Sequence, residues 1–491
     1  MKRLTKFVTA LALLLSAATG AWAIEVVTAE TTTLSNGVTY WVASDVTISS
    51  RITVSGSATL VLRDGFTLTA SKGIELSEGN QLTINGDTNN SGTLVTTGEV
   101  YKAGIGAYQC GDLTINGGTI NATGGDDAAG IGGSRNSLSS GTITINGGII
   151  NATGGERGAG IGGGSGSGWA GAYGLCGTIV INGGQVTATG VNRAAGIGPG
   201  YESESEDNTS GSLTIGWSRA TDFIKASSFS NTYGRTLSSI TLAYAFVDDD
   251  GTVHTNTSQG TLGGKTLTPA VGLKDDANNT AMLAKASGMT LPVMLEGRTL
   301  QTDGWNTFCA PFSIDTPEGW TVKELTGSSL ADGTLTLTFA TASSIEAGKP
   351  YLVKVSDAVA NPTYEGVTIA GGTTTTETDN ADFVPVMNPT NLAGGDKTVL
   401  FVTDGNKLTY PTASGNINAF RAYFQLKGAA ALAPARAFAM TFDDDATGIT
   451  TILSDEPTTA SGIYTLDGRR IEGQPAEKGV YIVNGRKVVV K

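Results

Sequence analysis

Apolar and small polar residues alternate along three similar segments in the first half of the chain. Each segment begins with a Leu or Ile, continues through Ile-Asn-Gly-Gly, and alternates again up to a Thr-Gly pair. A period of two, rich in Ile, Val and Thr and interrupted by glycines, predicts short strands separated by turns. The segments are residues 113–125, 143–155 and 179–190, and each is followed by Ala-Gly-Ile-Gly, at 129–132, 159–162 and 195–198.

Fainter copies of this repeat lie on both sides. Leu-Thr-Ile occurs at residues 82–84 and again at 213–215, so the five units begin 31, 30, 36 and 34 residues apart. A period in this range is typical of a stacked solenoid, in which each unit buries its apolar side against the next. Because the segments have strand spacing and no helical spacing, the pattern predicts a parallel β-helix with coils about 4.8 Å apart.

On this architecture, equivalent residues of successive coils form ladders. Isoleucines point inward, asparagine amides hydrogen-bond along one turn, and paired glycines allow positive φ at that corner. The expected ladders are Ile115, Ile145 and Ile181; Ile131, Ile161 and Ile197; and Asn116, Asn146 and Asn182. Shorter alternating runs between residues 46 and 76 predict the first coils of the same solenoid.

The first 23 residues have the composition of a secretory signal peptide. Lys2, Arg3 and Lys6 precede an apolar run from residue 7 to 18, and small residues lead up to Ala23. This order predicts export and cleavage after Ala23. The run is too short to span a bilayer comfortably, and no other segment approaches about 20 apolar residues, so we expect no transmembrane segment in the mature chain.

Composition and charge narrow the class of protein. With 69 Gly, 39% hydrophobic and 15% charged residues, the chain is typical of a turn-rich β protein with enough apolar residues for a core. The formal net charge of -13 argues against nucleic acid as a partner, because a phosphate backbone needs a basic footprint. Cys110 and Cys176 stand at the same place in units two coils apart, roughly 9.6 Å by the strand spacing. That exceeds the disulfide limit of about 7 Å, so the sequence predicts free, buried thiols.

The pattern changes after the solenoid and predicts an all-β chain of several parts. The expected order is a signal peptide (1–23), a parallel β-helix (24–216), a β cap (217–290), an antiparallel β-sandwich (291–445) and a C-terminal module (446–491). Alternating runs at 305–312, 335–339, 350–355, 399–402 and 419–426 are the predicted sandwich strands. The three aspartates from Asp443 are interpreted as a linker.

The C-terminal residues carry two hairpin signals and a resemblance. Asp467-Gly468 and Asn484-Gly485 separate short apolar runs, as two-residue hairpin turns require. Residues 462–470 and 478–491 resemble the C-terminal sorting module of proteins secreted by the Bacteroidetes type 9 system. Residues 304–312, 347–354 and 418–424 are similar to a β domain of Bacteroidetes surface proteins, and the solenoid is more distantly similar to the pectate-lyase-like superfamily. These resemblances imply secretion machinery as a partner and a location outside the cell, on the surface of a Gram-negative bacterium, but no activity.

Metal and cofactor chemistry find little support in the sequence. The single histidine, His254, lies in a polar turn after Asp248, Asp249 and Asp250. These three aspartates lack the spacing of a calcium loop, so a solvated turn is the favoured interpretation. The glycine motifs at 158–163 and 263–266 lack the strand and helix context of nucleotide loops. We therefore expect no metal site, no cofactor and no catalytic residue.

The turn after Thr-Gly-Gly is the candidate binding site. Its polar residues are Asp126, Asp127, Glu156, Arg157 and Arg193, and aromatic residues of the loops between coils are Trp169, Tyr173 and Tyr201. Stacked carboxylates are able to share a cation or raise a pKa, guanidinium groups hold a carboxylate, and exposed rings stack on sugars. A polar, solvent-facing turn without a ligand is the alternative.

These observations favour a secreted, non-enzymatic surface protein. Its expected role is adhesion or glycan binding, with a polysaccharide or a host surface glycoprotein as the partner. One alternative is a polysaccharide lyase or glycoside hydrolase on the β-helix face, which would need two carboxylates about 5 to 9.5 Å apart. The other alternative is a purely structural surface component.

Overall fold

A computed structural model describes most of the chain. The described residues are 23–138, 141–166, 177–201, 211–231, 236–255, 262–403, 405–432 and 437–444, with the backbone of 450–453, 463–465, 470–471, 479–483 and 486–490. Residues 1–22 of the predicted signal peptide, together with Trp169, Tyr173 and Cys176, lie outside this set. The chain forms two compact units, which we describe separately. The first holds the residues up to Lys274 with Thr280–Glu296 and Asn361–Ile369, and the second holds the remainder.

Short strands dominate both units. The elements up to residue 296 are β1 (Ala23–Val26), β2 (Thr33–Leu34), β3 (Val38–Val42), β4 (Val46–Ile48), β5 (Ile52–Val54), β6 (Ser57–Leu62), β7 (Thr67–Ala70), β8 (Ile74–Glu75), β9 (Gln81–Gly86), β10 (Thr93–Thr97), β11 (Ile105–Gln109), β12 (Asp112–Ile115), β13 (Thr119–Thr123), β14 (Ile131–Leu138), β15 (Thr142–Ile145), β16 (Ile149–Thr153), β17 (Ile161–Gly162), β18 (Thr178–Ile181), β19 (Gln185–Thr189), β20 (Ile197–Gly198), β21 (Ser212–Ile215), β22 (Phe223–Ala226), β23 (Ser239–Leu242), β24 (Phe246–Val247), β25 (Val253–His254), β26 (Thr266–Pro269), β27 (Val271–Lys274), α1 (Thr280–Ala286) and β28 (Thr290–Glu296).

The later elements complete the second unit and the C-terminal part. They are β29 (Thr299–Leu300), β30 (Asn306–Phe308), β31 (Ile314–Asp315), β32 (Trp320–Ala331), β33 (Thr334–Thr341), β34 (Ser344–Ile345), β35 (Tyr351–Val355), β36 (Val359–Ala360), β37 (Thr363–Thr368), β38 (Ala381–Val386), β39 (Thr390–Leu392), β40 (Val399–Thr403), β41 (Lys407–Thr409), β42 (Gly415–Ile417), β43 (Arg421–Leu426), α2 (Gly428–Leu432), β44 (Ala437–Phe442), β45 (Thr450–Leu453), β46 (Ile463–Thr465), β47 (Arg470–Ile471), β48 (Gly479–Val483) and β49 (Arg486–Val490).

The first unit contains the predicted parallel β-helix. Sheet 1 has the order β1-β3-β6-β9-β12-β15-β18-β21-β23, and sheet 3 has the order β2-β5-β8-β11-β14-β17-β20. Sheet 2 runs β4-β7-β10-β13-β16-β19-β22 and then continues through β26, β24 and β25. From β3 to β20 the chain visits sheets 1, 2 and 3 in turn, so each of these coils contributes one strand to each sheet. The early runs between residues 46 and 76 belong to these sheets, as the sequence predicts.

The predicted ladders are confirmed by the strand register. Ile115 pairs with Ile145 and Ile145 with Ile181 in sheet 1, while Ile131, Ile161 and Ile197 follow one another in sheet 3. All six isoleucines are fully buried. At the corner between sheets 1 and 2, each side-chain amide donates a hydrogen bond of 2.8 Å to the preceding coil, in the order Asn182, Asn146, Asn116, Asn85.

A column of glycines fixes the spacing of sheet 3. Gly106, Gly132, Gly162 and Gly198 have φ between +121° and +139°, a region that side chains rarely adopt. A Cβ atom built on Gly162 would lie 2.0 Å from the carbonyl oxygen of Gly198, and one on Gly106 would lie 1.8 Å from that of Gly132. The second glycine of Ala-Gly-Ile-Gly is therefore required by the close approach of neighbouring coils.

The parallel ladders continue beyond the expected boundary at residue 216. β22 extends sheet 2 and β23 extends sheet 1 in parallel register. β26 then pairs antiparallel with β22, and β24 and β25 follow, so antiparallel strands end sheet 2. The alternating run at residues 240–247 is divided between two strands, β23 and β24. Trp217 is fully buried at this end and donates its indole N–H to the carbonyl of Ala245 at 3.0 Å.

Asp248 is not in a solvated turn, which corrects the interpretation made from the sequence. Its carboxylate is buried, lies 2.5 Å from Lys265 Nζ and 2.9 Å from His254 Nε2, and accepts two backbone N–H groups. Burial alone would raise the pKa of Asp248, but the hydrogen bonds from Lys265, His254 and the backbone outweigh it and hold that pKa well below its usual range. The group therefore fixes the antiparallel turn between β24 and β25.

The second unit is a β-sandwich, as predicted. A six-stranded sheet (β30-β35-β32-β33-β44-β45) and a four-stranded sheet (β38-β43-β40-β41) share one core, where the rings of Phe383 and Phe424 stack at 4.4 Å and Phe339 meets Phe424 at 6.3 Å. Most pairs are antiparallel, but β33 and β44 run parallel. Asp443 lies 2.6 Å from the buried Lys323 Nζ, so it anchors this sheet and is not part of a free linker.

The C-terminal strands form a small antiparallel sheet with the order β47-β46-β48-β49. Val483 pairs with Arg486, so β48 and β49 form the hairpin that the Asn-Gly signal predicts. The other strands pair as β46 with β47 and β46 with β48.

Candidate functional site

The candidate turn lies between sheets 2 and 3 and has the same backbone in four coils. Tyr101, Asp127, Arg157 and Arg193 occupy equivalent positions, with φ of 68°, 64°, 67° and 78°. A residue with a side chain costs about 1–2 kcal/mol in this left-handed region. The strain recurs along the solenoid although the chain uses glycine freely elsewhere.

Five side chains form one continuous set of contacts: three from the turns, Arg135 from β14 and Tyr201 from the loop after β20. The guanidinium of Arg135 lies 4.5 Å from the centre of the Tyr101 ring, and its Nε lies 3.5 Å from Asp127 Oδ2. Asp127 Oδ1 lies 2.7 Å from Arg157 Nε, and the guanidinium of Arg157 lies 5.8 Å from the Tyr201 ring. We call these five residues the arginine–tyrosine row.

Sheet 3 brings the two halves of the row together. Strands β17 and β20 are only two residues long, so the turn at Arg157 and the loop at Tyr201 meet. Arg135 lies in the longer β14, where the register with β11 shifts between Gly133 and Leu138. The Arg135 N–H donates to the carbonyl of Tyr101 at 3.1 Å, and the Tyr201 N–H donates to the carbonyl of Arg157 at 3.0 Å. Each contact joins the turn of one coil to the next coil.

The row presents rings and guanidinium groups above a buried carboxylate. The Asp127 side chain is 3% exposed, whereas those of Arg135 and Arg157 are 39% and 43% exposed. Tyr101 is 45% exposed. Solvent therefore meets donors and aromatic surface, while the carboxylate between the two cations holds them in place.

The other predicted residues lie beside the row. Asp126 and Arg193 are exposed, and exposed Glu156 accepts a hydrogen bond of 3.3 Å from the Asn192 amide. The structure thus brings together three of the predicted residues, Asp127, Arg157 and Tyr201, while Trp169 and Tyr173 lie outside the described residues.

Sequence reasoning missed Tyr101 and Arg135. Tyr101 had a signal, because it precedes Ala-Gly-Ile-Gly by the same spacing as Asp127 does. Arg135 had none, because it lies in the part of β14 where the register with β11 shifts, an irregularity that the repeat does not encode. Its contact depends on where this part of the strand lies in the folded sheet.

Neither a metal-binding cluster nor a membrane-spanning helix is present among the described residues. Across the described part of the chain, no three His, Cys, Asp or Glu side chains are grouped so as to hold a metal ion. In that part, no helix has both the length and the apolar character needed to cross a bilayer.

Cys110 and Cys309 are free and buried, in agreement with the prediction for Cys110. Burial raises the pKa of their thiols to about 11 and about 12. Both thiols are therefore uncharged and shielded near neutral pH.

Comparison with known proteins identifies the repeat. The family described as beta helix repeat matches residues 113–135, 143–165 and 179–201. These matches coincide with three consecutive coils and include Asp127, Arg135, Arg157 and Tyr201. No curated protein and no solved structure matches the chain. The class of protein is thus defined by its repeat: the chain contains a parallel β-helix built from beta helix repeats.

Proposed function

We propose that this protein is a secreted surface protein that binds glycans, without turning them over, through the arginine–tyrosine row. The observation that carries the proposal is the continuous contact from Tyr101 through Arg135, Asp127 and Arg157 to Tyr201. A row that spans four coils matches a ligand longer than one sugar residue.

The chemistry of the row suits a sugar chain. Partly exposed rings offer apolar faces on which the C–H side of a pyranose stacks. Arginine N–H groups beside them donate to hydroxyl or carboxylate oxygens in a fixed geometry. Because Asp127 orients both guanidinium groups before a ligand arrives, less side-chain entropy is lost on binding.

The left-handed turns support a role for the side chains. Glycine at Tyr101, Asp127 or Arg157 would relieve about 1–2 kcal/mol of strain per position. The retained side chains instead make the contacts of the row. Outliers of this kind often accompany functional sites.

Binding without catalysis is favoured by the positions and exposure of the carboxylates. Glycoside hydrolysis requires two carboxyl groups with distinct roles, one of them as an acid. The buried carboxylate, Asp127, is 3% exposed and lies between two guanidinium groups, so a ligand on the surface meets the arginines rather than the carboxylate. Asp126 and Glu156 are exposed, and a lyase or hydrolase is the weaker alternative.

The location is part of the proposal. Support comes from the basic, apolar and small-residue order of the first 23 residues and from the C-terminal segments that resemble a sorting module. Secretion machinery is the partner that this resemblance implies.

The test is retention of the purified protein on a panel of insoluble and gel-embedded polysaccharides and mucins, with new reducing ends assayed in the same samples. Arg157→Ala and Tyr101→Ala keep the Cβ that the turn already accommodates and remove the row. Arg63→Ala is the matched control, because Arg63 is 42% exposed and also pairs with a carboxylate and a ring, at another corner of the solenoid.

We expect wild type and Arg63→Ala to be retained, both row variants to be released, and no reducing ends to appear. Equal loss in all three variants would show that the effect is not specific to the arginine–tyrosine row and would refute the proposal. New reducing ends would refute binding without turnover. Absence of retention by the wild type would favour the purely structural role.

A further inference from the structure

The four-stranded sheet of the sandwich opens between two of its strands. β40 and β43 pair at Val399 with Gln425 and at Leu400 with Phe424. Beyond that point β40 pairs with β41 instead, beginning at Phe401. The first residues of β43, from Arg421, are therefore not paired with β40.

Thr307 of the opposite sheet lies at the bottom of this opening. Its hydroxyl accepts the backbone N–H of Ala422 at 3.2 Å, a group at the start of β43. The separation of the two strands is therefore stabilised from within the sandwich, and it has a polar floor.

Two adjoining cavities of about 390 and 170 Å³ fill the opening. Both are lined by Thr307, Val402 and Arg421, so they are neighbours, and we call the two together the sandwich cleft. Every lining residue belongs to the second unit. The larger cavity falls in the range of small-molecule sites, about 300–1,000 Å³.

Arg421 is held with one edge of its guanidinium in use. Its Nη1 donates to the Asp275 carboxylate and to the carbonyl of Ala419. Asp275 also accepts a hydrogen bond of 2.9 Å from the Asn418 amide. Nε and Nη2 have no hydrogen-bond partner among the described residues, and the side chain is 26% exposed. The cleft thus contains an oriented pair of N–H donors.

The charges around the cleft cancel. Arg421 is balanced by Asp275, and the second arginine of the lining, Arg298, shares the cleft with Asp303. The Arg298 guanidinium already donates to the carbonyls of Thr299 and Thr307 at 2.8 and 2.7 Å. An anionic ligand would leave an excess negative charge in a chain of net charge -13, so the site favours an uncharged ligand rich in hydroxyl groups.

The remaining lining matches such a ligand. Amides of Asn416 and Asn418 border the larger cavity with the rings and alkyl groups of Phe401 and Ile417. Trp305 borders the smaller cavity and is held by stacking on Phe442 at 4.9 Å. This lining is complementary to a pyranose, because its hydrogen-bonding groups can meet the sugar hydroxyls and its apolar groups can meet the C–H face of the ring.

We propose that the sandwich cleft binds a neutral sugar residue, with the free edge of Arg421 donating to two of its hydroxyl oxygens. This site shares no residue with the arginine–tyrosine row, so the two binding proposals can be tested independently. Arg157→Ala, which removes part of the row, should leave sugar binding in the cleft unchanged.

The experiment is ligand-observed saturation-transfer NMR on the full protein. The probes are glucose, galactose, mannose, fucose and N-acetylglucosamine, with glucuronic and galacturonic acid as their charged counterparts. Ala413→Trp fills the cleft from an exposed lining position, and Ala331→Trp adds the same side chain at an exposed position away from it. Arg421→Lys keeps the charge and removes the paired donors.

At least one neutral sugar should bind to the wild type and to Ala331→Trp, with at least tenfold weaker binding by Ala413→Trp and by Arg421→Lys. Full binding by Ala413→Trp would overturn the proposal, as would failure of every neutral sugar to bind. Tenfold preference for a uronic acid over its neutral counterpart would overturn the charge argument and hence the ligand class. A thermal melt of each variant confirms that the loss is not unfolding.

Discussion

Replacing one glycine of sheet 3 tests why the coils stack as closely as they do. Gly162 has a φ of +135°, and a Cβ atom there would lie 2.0 Å from the carbonyl oxygen of Gly198. That same oxygen accepts the Gly163 N–H at 2.9 Å, so the next coil cannot move away without weakening this bond. Gly162→Ala therefore strains its own backbone and also separates two coils.

The expected loss is about 4 kcal/mol. A side chain in a conformation that is essentially restricted to glycine costs about 1–3 kcal/mol. Overpacking against fixed backbone adds about 1–3 kcal/mol, and weakening one buried hydrogen bond adds about 1 kcal/mol. Gly216→Ala is the matched control, because the nearest atoms to its added Cβ are ring carbons of Tyr244 at 3.5 Å and its φ is not positive.

The assay is native-state hydrogen exchange read by mass spectrometry on peptides from residues 143–166 and 177–201. In a solenoid each coil contacts only its neighbours, so the loss should appear first in the coils that contain Gly162 and Gly198. A change of 4 kcal/mol corresponds to roughly thousandfold faster exchange, whereas Gly216→Ala should stay within tenfold of wild type. If Gly162→Ala also stayed within tenfold, the close approach of the glycine column would not set the spacing of sheet 3.

Three further predictions concern groups whose environment is defined by the fold. Asn146→Ala removes two amide hydrogen bonds of an exposed ladder, so urea unfolding should show a loss of about 1–2 kcal/mol, and an unchanged midpoint would contradict the ladder. Burial raises the pKa of Cys110 to about 11 and that of Cys309 to about 12, so neither thiol should react with iodoacetamide at pH 8 until urea is added. The contribution of these buried, uncharged thiols to stability is complete below pH 9 and is lost as the pH rises toward their raised pKa values. Hydrogen bonds hold the pKa of Asp248 below its usual range, so its contribution is present above about pH 4 and is lost as the pH falls further. Hydrogen exchange near residues 246–255 should therefore accelerate in acid for wild type, and Asp248→Asn should show fast exchange already at neutral pH.

The sequence alone was sufficient to predict most of the solenoid, because in a stacked repeat the residues that lie one repeat length apart along the chain become neighbours in space. Residues 30 or 36 positions apart, such as Asn116, Asn146 and Asn182, become neighbours simply because each coil repeats the same three strands. The alternation of Ile with Thr decides which side chains are buried, and the glycines decide where the chain turns. The sandwich followed from its strand runs in the same way, although the parallel pair of β33 and β44 did not, since alternation carries no information about strand direction.

The sites depended on contacts that no period encodes. Asp127 and Arg157 were predictable as neighbours, because they occupy equivalent positions one coil apart. The contact of Arg157 with Tyr201 joins a turn to a loop and arises because strands β17 and β20 are only two residues long. The contact of Arg135 with Tyr101 arises where the register of β14 with β11 shifts. The sandwich cleft likewise exists because β40 pairs with β43 at only two residues and then pairs with β41. Which partner a strand takes is decided by packing in the folded sheet and not by chain spacing. The sequence alone thus determined the repeated framework, where neighbours are fixed by chain spacing, and the tertiary structure decided the surfaces, where neighbours are fixed by how loops and sheet edges pack.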